Sequence, residues 1–320
     1  MSVSSTTTAA PTPKGRAAGR PGRPLLWSLV AALRPRQWTK NLIVLAGLIF
    51  GERLLDPAAV ADALVAFGVF CLLSGVVYLV NDIRDREADQ LHPVKSRRPI
   101  AAGDLPVPTA MIAAVVLTTA SLVVAFGLSA GFGTVSAAYV CLLVAYSVWL
   151  KHLVILDVLT LSLGFVLRAW GGAVAVEVGM SHWLLLLTLL GALFLALSKR
   201  RAELVSLADD AHSHRPTLAE YSPHLLDQMI SVVTASTLLA YALYTIDDET
   251  VRRFGTDRLV WTVPFPLYGI FRYLYLVHRR DGGGNPSEVL LSDRPILTCV
   301  AVWGIAVLVL VYGPRIGPGG

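Results

Sequence analysis

Long apolar blocks separated by short polar breaks run through almost the whole chain, and their length predicts helices that cross a bilayer rather than stripes facing a soluble core. A hydrocarbon layer of about 30 Å needs about 20 residues of helix. Blocks near that length lie at 38–54, 58–80, 107–129, 134–150, 153–176, 182–198, 229–246, 259–277 and 295–311. The expected fold is therefore all-α: a polytopic bundle of about nine transmembrane helices forming one domain over 25–320. Residues 1–24, rich in Ser, Thr, Ala, Pro and Gly, have no means of building a core and read as a disordered tail. The apolar run at 25–33 is followed by Arg34-Pro35-Arg36 rather than by small cleavage-site residues, so 25–37 reads as an interfacial helix and not a signal peptide.

Composition supports the membrane reading. Of 320 residues, 55% are hydrophobic and 15% charged, which excludes a large soluble domain. The formal charge of +5 fits loops beside anionic lipid better than nucleic acid, because of where the basic residues fall. With the N-terminus inside, most Lys and Arg gather before Asn41 and in 81–106, 199–225 and 278–294. Arg53, Arg252, Arg253, Arg258 and Arg315 lie outside. The positive-inside rule then puts the N-terminus and the two longest inner loops in the cytosol of a cell whose plasma membrane holds the protein. Cys71, Cys141 and Cys299 lie in apolar runs with no CxxC pair, and read as buried small hydrophobes.

The chemistry concentrates where the second block ends, at Asn81-Asp82-Ile83-Arg84-Asp85-Arg86-Glu87-Ala88-Asp89. On a helix, Asp82, Asp85 and Asp89 share one face within about 10 Å. Such a cluster repels itself unless cations join it, and Mg²⁺ takes one or two carboxylates with water and phosphate oxygens. This predicts a magnesium-pyrophosphate site with Asp82, Asp85 and Asp89 as ligands and Asn81 beside them. His92-Pro93-Val94-Lys95-Ser96-Arg97-Arg98-Pro99 comes next, a Pro-broken loop whose Lys95, Arg97 and Arg98 suit a phosphate-bearing ligand.

The pattern at 81–89 together with Ser-Arg-Arg-Pro-Ile-Ala-Ala-Gly at 96–103 resembles the first motif of the UbiA-type intramembrane prenyltransferases, all-helical bundles of about nine spans with the active site at the cytosolic face. Members acting on aromatic acceptors carry a second acidic motif after the sixth span. Here Ser198-Lys199-Arg200-Arg201-Ala202-Glu203 occupies that loop, and with the stretches Arg34–Asn41, Tyr146–Lys151 and Tyr268–His278 it is similar to the branch that transfers phosphoribose to decaprenyl phosphate. The resemblance implies a Mg²⁺-dependent phosphoribosyltransferase, which moves 5-phosphoribose from phosphoribosyl pyrophosphate to a polyprenyl (decaprenyl) phosphate for cell-wall arabinan synthesis and releases pyrophosphate. Lys40, Tyr146, Lys151, Lys199, Arg200, Glu203 and Arg272 are the substrate-binding residues it suggests, and which cation holds which phosphate stays open. A homo-oligomer is compatible with a bundle of this size.

Asp157 and Arg168 stand inside the fifth block, about 16 Å apart along a helix, and cannot pair. Asp157 is expected near ribose hydroxyls or Lys151, and Arg168 to hold the bundle together. Asp247-Asp248-Glu249 reads as a solvated outer loop, Gly282-Gly283-Gly284 as loop punctuation, and His212, His214 and His224 as loop residues rather than a zinc site. An aromatic-acceptor prenyltransferase shares this expected fold and metal site. A transporter predicts inverted halves and broken midplane helices, which the sequence does not display. The start motif of phosphatidyl-type transferases is missing as well.

Overall fold

The computed structural model describes residues 24–206, 218, 220–279 and 292–316. The tail over 1–23, Gly282–Gly284, His212 and His214 lie outside them. Helices account for nearly all the described chain, with no strand among those residues. In chain order they are α1 (Leu25–Ala32), α2 (Ala46–Phe50), α3 (Pro57–Arg84), α4 (Arg86–Leu91), α5 (Pro99–Ala102), α6 (Val107–Leu128) and α7 (Ala130–Val148). After these come α8 (Leu156–Ala175), α9 (His182–Ser206), α10 (Pro223–Ile246), α11 (Asp248–Phe254), α12 (Pro264–Arg279) and α13 (Arg294–Ile316).

Seven of these are long and apolar enough to cross a membrane: α3, α6, α7, α8, α9, α10 and α13. Their starts arise from local chemistry. Asp56 accepts from the amides of Ala58 and Ala59 ahead of Pro57, and Ser222 accepts from Leu225 ahead of Pro223, so each pairs a capping oxygen with a proline at the first helical position. The helix α6 turns its Ile112, Val115, Val116 and Val123 outward, as a lipid-facing helix does.

Two of the nine predicted crossings are composite. The first is an eleven-residue 3₁₀ segment, Pro35–Leu45, running into α2. At about 2.0 and 1.5 Å per residue the pair covers about 30 Å, the thickness of the apolar layer. Pro35 and the left-handed Arg34 before it (φ 54°) start the segment. Irregular backbone is tolerated at membrane depth only inside protein, and this segment packs between α3 and α8 with Asn41 and Val44 wholly buried. The second composite is a 3₁₀ turn, Arg258–Thr262, leading into α12, whose Pro264 and Pro266 prevent one continuous helix.

Small residues set the closest approaches. A Cβ on Gly172 would stand 1.8 Å from the Val44 carbonyl, and one on Gly47 2.6 Å from Ala173 Cα. Close backbone contact of this kind is how membrane helices gain van der Waals attraction where lipid removes the hydrophobic drive. One core joins α3 and α7, with the Phe70 ring edge-on to Phe132 and Tyr139. Another gathers Val158, Phe194, Leu197, Leu226, Tyr273 and Ile296 from α8, α9, α10, α12 and α13, with Tyr221 from the stretch just before α10.

The short α1 buries Ser28 and Ala32 and exposes Leu25, Leu26, Trp27 and Val30, so an apolar face is left for an interface. Cys71 is buried, whereas Cys141 lies exposed on α7 and Cys299 is half-buried. The expectation of three buried cysteines therefore holds for Cys71 alone, since α7 presents Cys141 away from its neighbours.

Candidate active site

The apolar run of α3 ends in the turn that carries Asn81 and Asp82. The expected single straight helix bearing three carboxylates does not form. The helix breaks at Asp85 (φ −90°, ψ 11°), and α4 continues beyond it. Hydrogen bonds from Asp85 N to Asn81 O (2.9 Å) and from Asp89 N to Asp85 O (2.8 Å) carry the helical winding across the break.

Asp82, 2% exposed, accepts on Oδ1 from Arg34 Nη2 at 2.5 Å and from Arg98 Nη1 at 3.0 Å. The same Arg98 nitrogen lies 2.6 Å from Oδ2 of the buried Asp89. Asp85 turns elsewhere and accepts from Lys151 Nζ at 2.7 Å. Two acidic side chains thus converge on one positive nitrogen and the third engages a different cation. Among the described residues, no three His, Cys, Asp or Glu side chains gather as a metal-holding group. Two carboxylates sharing one cationic point fit a Mg²⁺ ion, which needs only one or two from the protein. Arg34 escaped the sequence reading as a site residue. Its only signal was membership of the basic stretch at 34–40, and the structure lays it over the Tyr78 ring, 4.7 Å from the centroid.

A second cluster forms one helix away. Helix α9 runs on through Ser206, so Lys199, Arg200 and Glu203 sit on its last turns and not in a loop. Asp157, 0% exposed, accepts on Oδ2 from Arg200 Nε at 2.7 Å and on Oδ1 from the Tyr221 hydroxyl at 2.8 Å. Arg200, 2% exposed, reaches Glu203 Oε2 at 2.7 Å, and Lys199 stands 3.8 Å from Glu203 Oε1. Tyr146 is within electrostatic range of Arg200. Asp157 therefore pairs with Arg200 and Tyr221, and not with Lys151. A buried carboxylate with a guanidinium in reach takes that partner because an uncompensated charge there is costly.

Tyr221 also accepts from Ile155 N at 2.8 Å. Ile155 has φ 68° and ψ −45°, and Leu156 N donates to Val154 O at 2.8 Å across it. This is the strained form of γ-turn, held at a β-branched residue. Burial pushes the Tyr221 phenol up to about 12, so it stays a neutral donor. No spacing in the sequence marks Tyr221. Residues 151–157 link the clusters, with Lys151 on the acidic motif at one end and Asp157 on Arg200 at the other.

The remaining residues divide. Arg98 enters the site, whereas Arg97 is exposed and Lys95 half-buried on the turn before it. Arg272 meets neither cluster in the described contacts and pairs with Asp293 (3.0 Å) at the start of α13. His224 hydrogen-bonds Gln228 within α10. Lys40 lines a cavity of about 790 Å³ walled by Ile43, Phe165, Leu187, Phe194, Tyr273 and Trp303. The cavity extends away from the acidic motif to Asp247, Glu249 and Arg253. Asp247 caps α11 and accepts from Thr250 N, so this acidic run is a helix start at the cavity's far end, where a solvated loop was expected.

An apolar helical bundle with an arginine-bridged acidic motif at one end and an apolar cavity beside it defines a polytopic membrane enzyme. The chain belongs to the UbiA prenyltransferase family, whose model matches residues 41–291. It is 36% identical over 301 residues to a decaprenyl-phosphate phosphoribosyltransferase of Corynebacterium glutamicum, covering 92% of this chain and 89% of that one. The enzyme of the same name from Mycolicibacterium smegmatis is 37% identical, with 88% and 92% covered. In fold it is similar to a UbiA homolog from Archaeoglobus fulgidus bound to GPP and Mg²⁺. The TM-score is 0.68 at 17% identity, with 89% of this chain and 98% of that one covered.

Proposed function

We propose that this enzyme transfers 5-phosphoribose from phosphoribosyl pyrophosphate to a polyprenyl phosphate, decaprenyl phosphate being the acceptor its curated relatives' names indicate, with Mg²⁺ as cofactor. The observation that carries the reading is the convergence of Asp82 and Asp89 on a single cationic nitrogen, at the end of a bundle whose apolar cavity begins at Lys40. Mg²⁺, when bound there, neutralises the charge that builds on departing pyrophosphate. Asp82 and Asp89 would hold it, with Asn81 in the same turn. Arg98 and Arg34, which balance the carboxylates here, are then free to meet phosphate oxygens. Lys151 keeps Asp85 in position, where it would accept from the water shell of the ion.

The sugar carbon under attack develops oxocarbenium character, so the chain's task is to hold the acceptor oxygen opposite the leaving group. A phosphate monoester is already anionic, and no general base is required of the protein. In-line displacement inverts the anomeric carbon. The basic distribution of loops supports a cytosolic N-terminus and acidic motif in the plasma membrane, where a soluble sugar donor is at hand, and the product suits cell-wall arabinan synthesis.

A prenyl diphosphate donor with an aromatic acceptor is the second reading, favoured by the archaeal homolog bound to GPP. Lys199, Arg200 and Glu203 speak against it, because a basic cluster stands where that reading needs a second acidic set. The test is to incubate purified protein with Mg²⁺, polyprenyl phosphate and labelled phosphoribosyl pyrophosphate, and to track label into the organic phase. Transfer that EDTA abolishes is expected. Turnover of a prenyl diphosphate instead would install the second reading.

A further inference from the structure

Arg168 is a charge inside the bundle that neither cluster uses. It is 6% exposed on α8, three turns beyond Asp157. Its Nη2 donates to the Tyr139 hydroxyl at 2.6 Å, and the Tyr139 and Phe165 ring centroids lie 4.9 and 4.7 Å from its guanidinium carbon. Its Nε is buried with no acceptor, and among the described residues no carboxylate pairs with it. A charge so placed marks a functional group in a membrane protein more often than an anchor.

Lys40 stands on the segment packed against the same helix. The 3₁₀ segment and α8 run in the same direction and touch where Val44 meets Gly172 and Gly47 meets Ala173. Four residues earlier on both elements are Lys40 and Arg168, which places the two cations within range to repel each other. Lys40 also lacks a carboxylate partner among the described residues. It lines the apolar cavity next to Thr39 and Phe165, the ring on which Arg168 stacks. A buried water would satisfy Arg168 Nε but leave two like charges together. An anion removes both deficits.

We propose that Lys40 and Arg168 form the seat of a phosphate monoester whose apolar tail occupies the adjoining cavity, and that this monoester is the polyprenyl phosphate acceptor. The assignment rests on the function proposed above and decides between its two phosphates. The ribose 5-phosphate has no apolar part to enter the cavity, whereas a lipid phosphate places its head at the cationic end nearer the acidic motif and its tail along the walls. Thr39 is positioned to add a neutral donor.

The test separates binding from turnover. Equilibrium binding of a labelled polyprenyl phosphate and of the uncharged polyprenol is measured, without sugar donor, on the full-length protein in nanodiscs and on its Arg168→Gln and Lys40→Met variants. The wild type is expected to prefer the phosphate, and each variant to lose about tenfold of that preference, as removal of one charge-assisted hydrogen bond implies. Arg168→Lys should restore part of it. In turnover, KM for the lipid rises while KM for phosphoribosyl pyrophosphate holds. Thermal unfolding of each variant shows that it is folded. Variants that keep the full preference for phosphate over alcohol overturn the proposal, even if they are less stable, and so does a rise confined to KM for the sugar donor. A wild type that prefers polyprenyl phosphate yet transfers no phosphoribose leaves this site standing and defeats the function instead.

Discussion

The aspartates of the acidic motif differ in what they are bound to, and this makes them separable by substitution. Asp82 is buried and balances both Arg34 and Arg98, whereas Asp85 is one-third exposed and faces Lys151. Asp82→Asn keeps the shape but takes from Arg34 its carboxylate and leaves Arg98 with Asp89 alone, so it should cost about 1–3 kcal/mol of stability as well as abolishing turnover. Asp85→Asn should abolish or sharply lower turnover with a smaller fall in Tm than Asp82→Asn, because Asp85 is one-third exposed and the asparagine oxygen can still accept from the buried Lys151. Thermal melts paired with transferase assays check both. An Asp85→Asn protein with full activity would remove that carboxylate from the site. Tyr221→Phe makes a different demand. It leaves Asp157 Oδ1 and the Ile155 amide without the hydroxyl that serves both, a loss of about 1–3 kcal/mol that a drop in Tm would register. An unchanged Tm would mean that the strained turn at Ile155 holds without it.

At the level of elements, long-range contacts override local pattern where the chemistry sits. Residues 81–89 carry the charge spacing of a continuous helix, yet Asp85 is paired with Lys151, 66 positions on, and Asp82 with Arg34, 48 positions back. No local spacing holds that information. The motif itself was legible, and so was the basic loop that brings Arg98 to it, because both lie within a few turns of chain. The seven regular spans were legible because composition alone dictates them in a bilayer. The composite crossing at 35–50 was legible in length but not in form, since its 3₁₀ winding depends on the groove that Gly172 opens in α8. Gly172→Ala should therefore force the Val44 carbonyl away and cost about 2–3 kcal/mol, lowering both Tm and activity as Lys40 shifts with the segment. Gly191→Ala is the control, because its Cβ meets nothing within 4 Å and alanine favours the helix. Equal melts for the two would show that the close approach is not what seats the segment.

The whole molecule places an ionic end and an apolar cavity within one bundle, and the two ends of an amphiphilic substrate match them. The acidic motif, Arg98 and Lys151 occupy one end, and the cavity leads from Lys40 past Phe194 and Leu187 toward Phe50 and Phe254. If the acceptor's tail lies along that path, its kinetics respond to cavity width far from any charge. Gly191 lines the cavity with nothing within 4 Å of where a Cβ would stand, so Gly191→Phe projects a ring into the cavity from an unstrained Cβ and improves helix propensity at the same time. Lipid phosphates long enough to pass residue 191 should then show KM raised about tenfold or more, on the scale of burying several methylene groups elsewhere. Short-chain analogues and the sugar donor should keep their constants, with Tm at or above wild type. A series of acceptor lengths assayed against wild type and variant checks this directly. Equal constants at every length would move the tail out of the cavity and onto the lipid-facing surface of the bundle, leaving the aromatic walls to some other task.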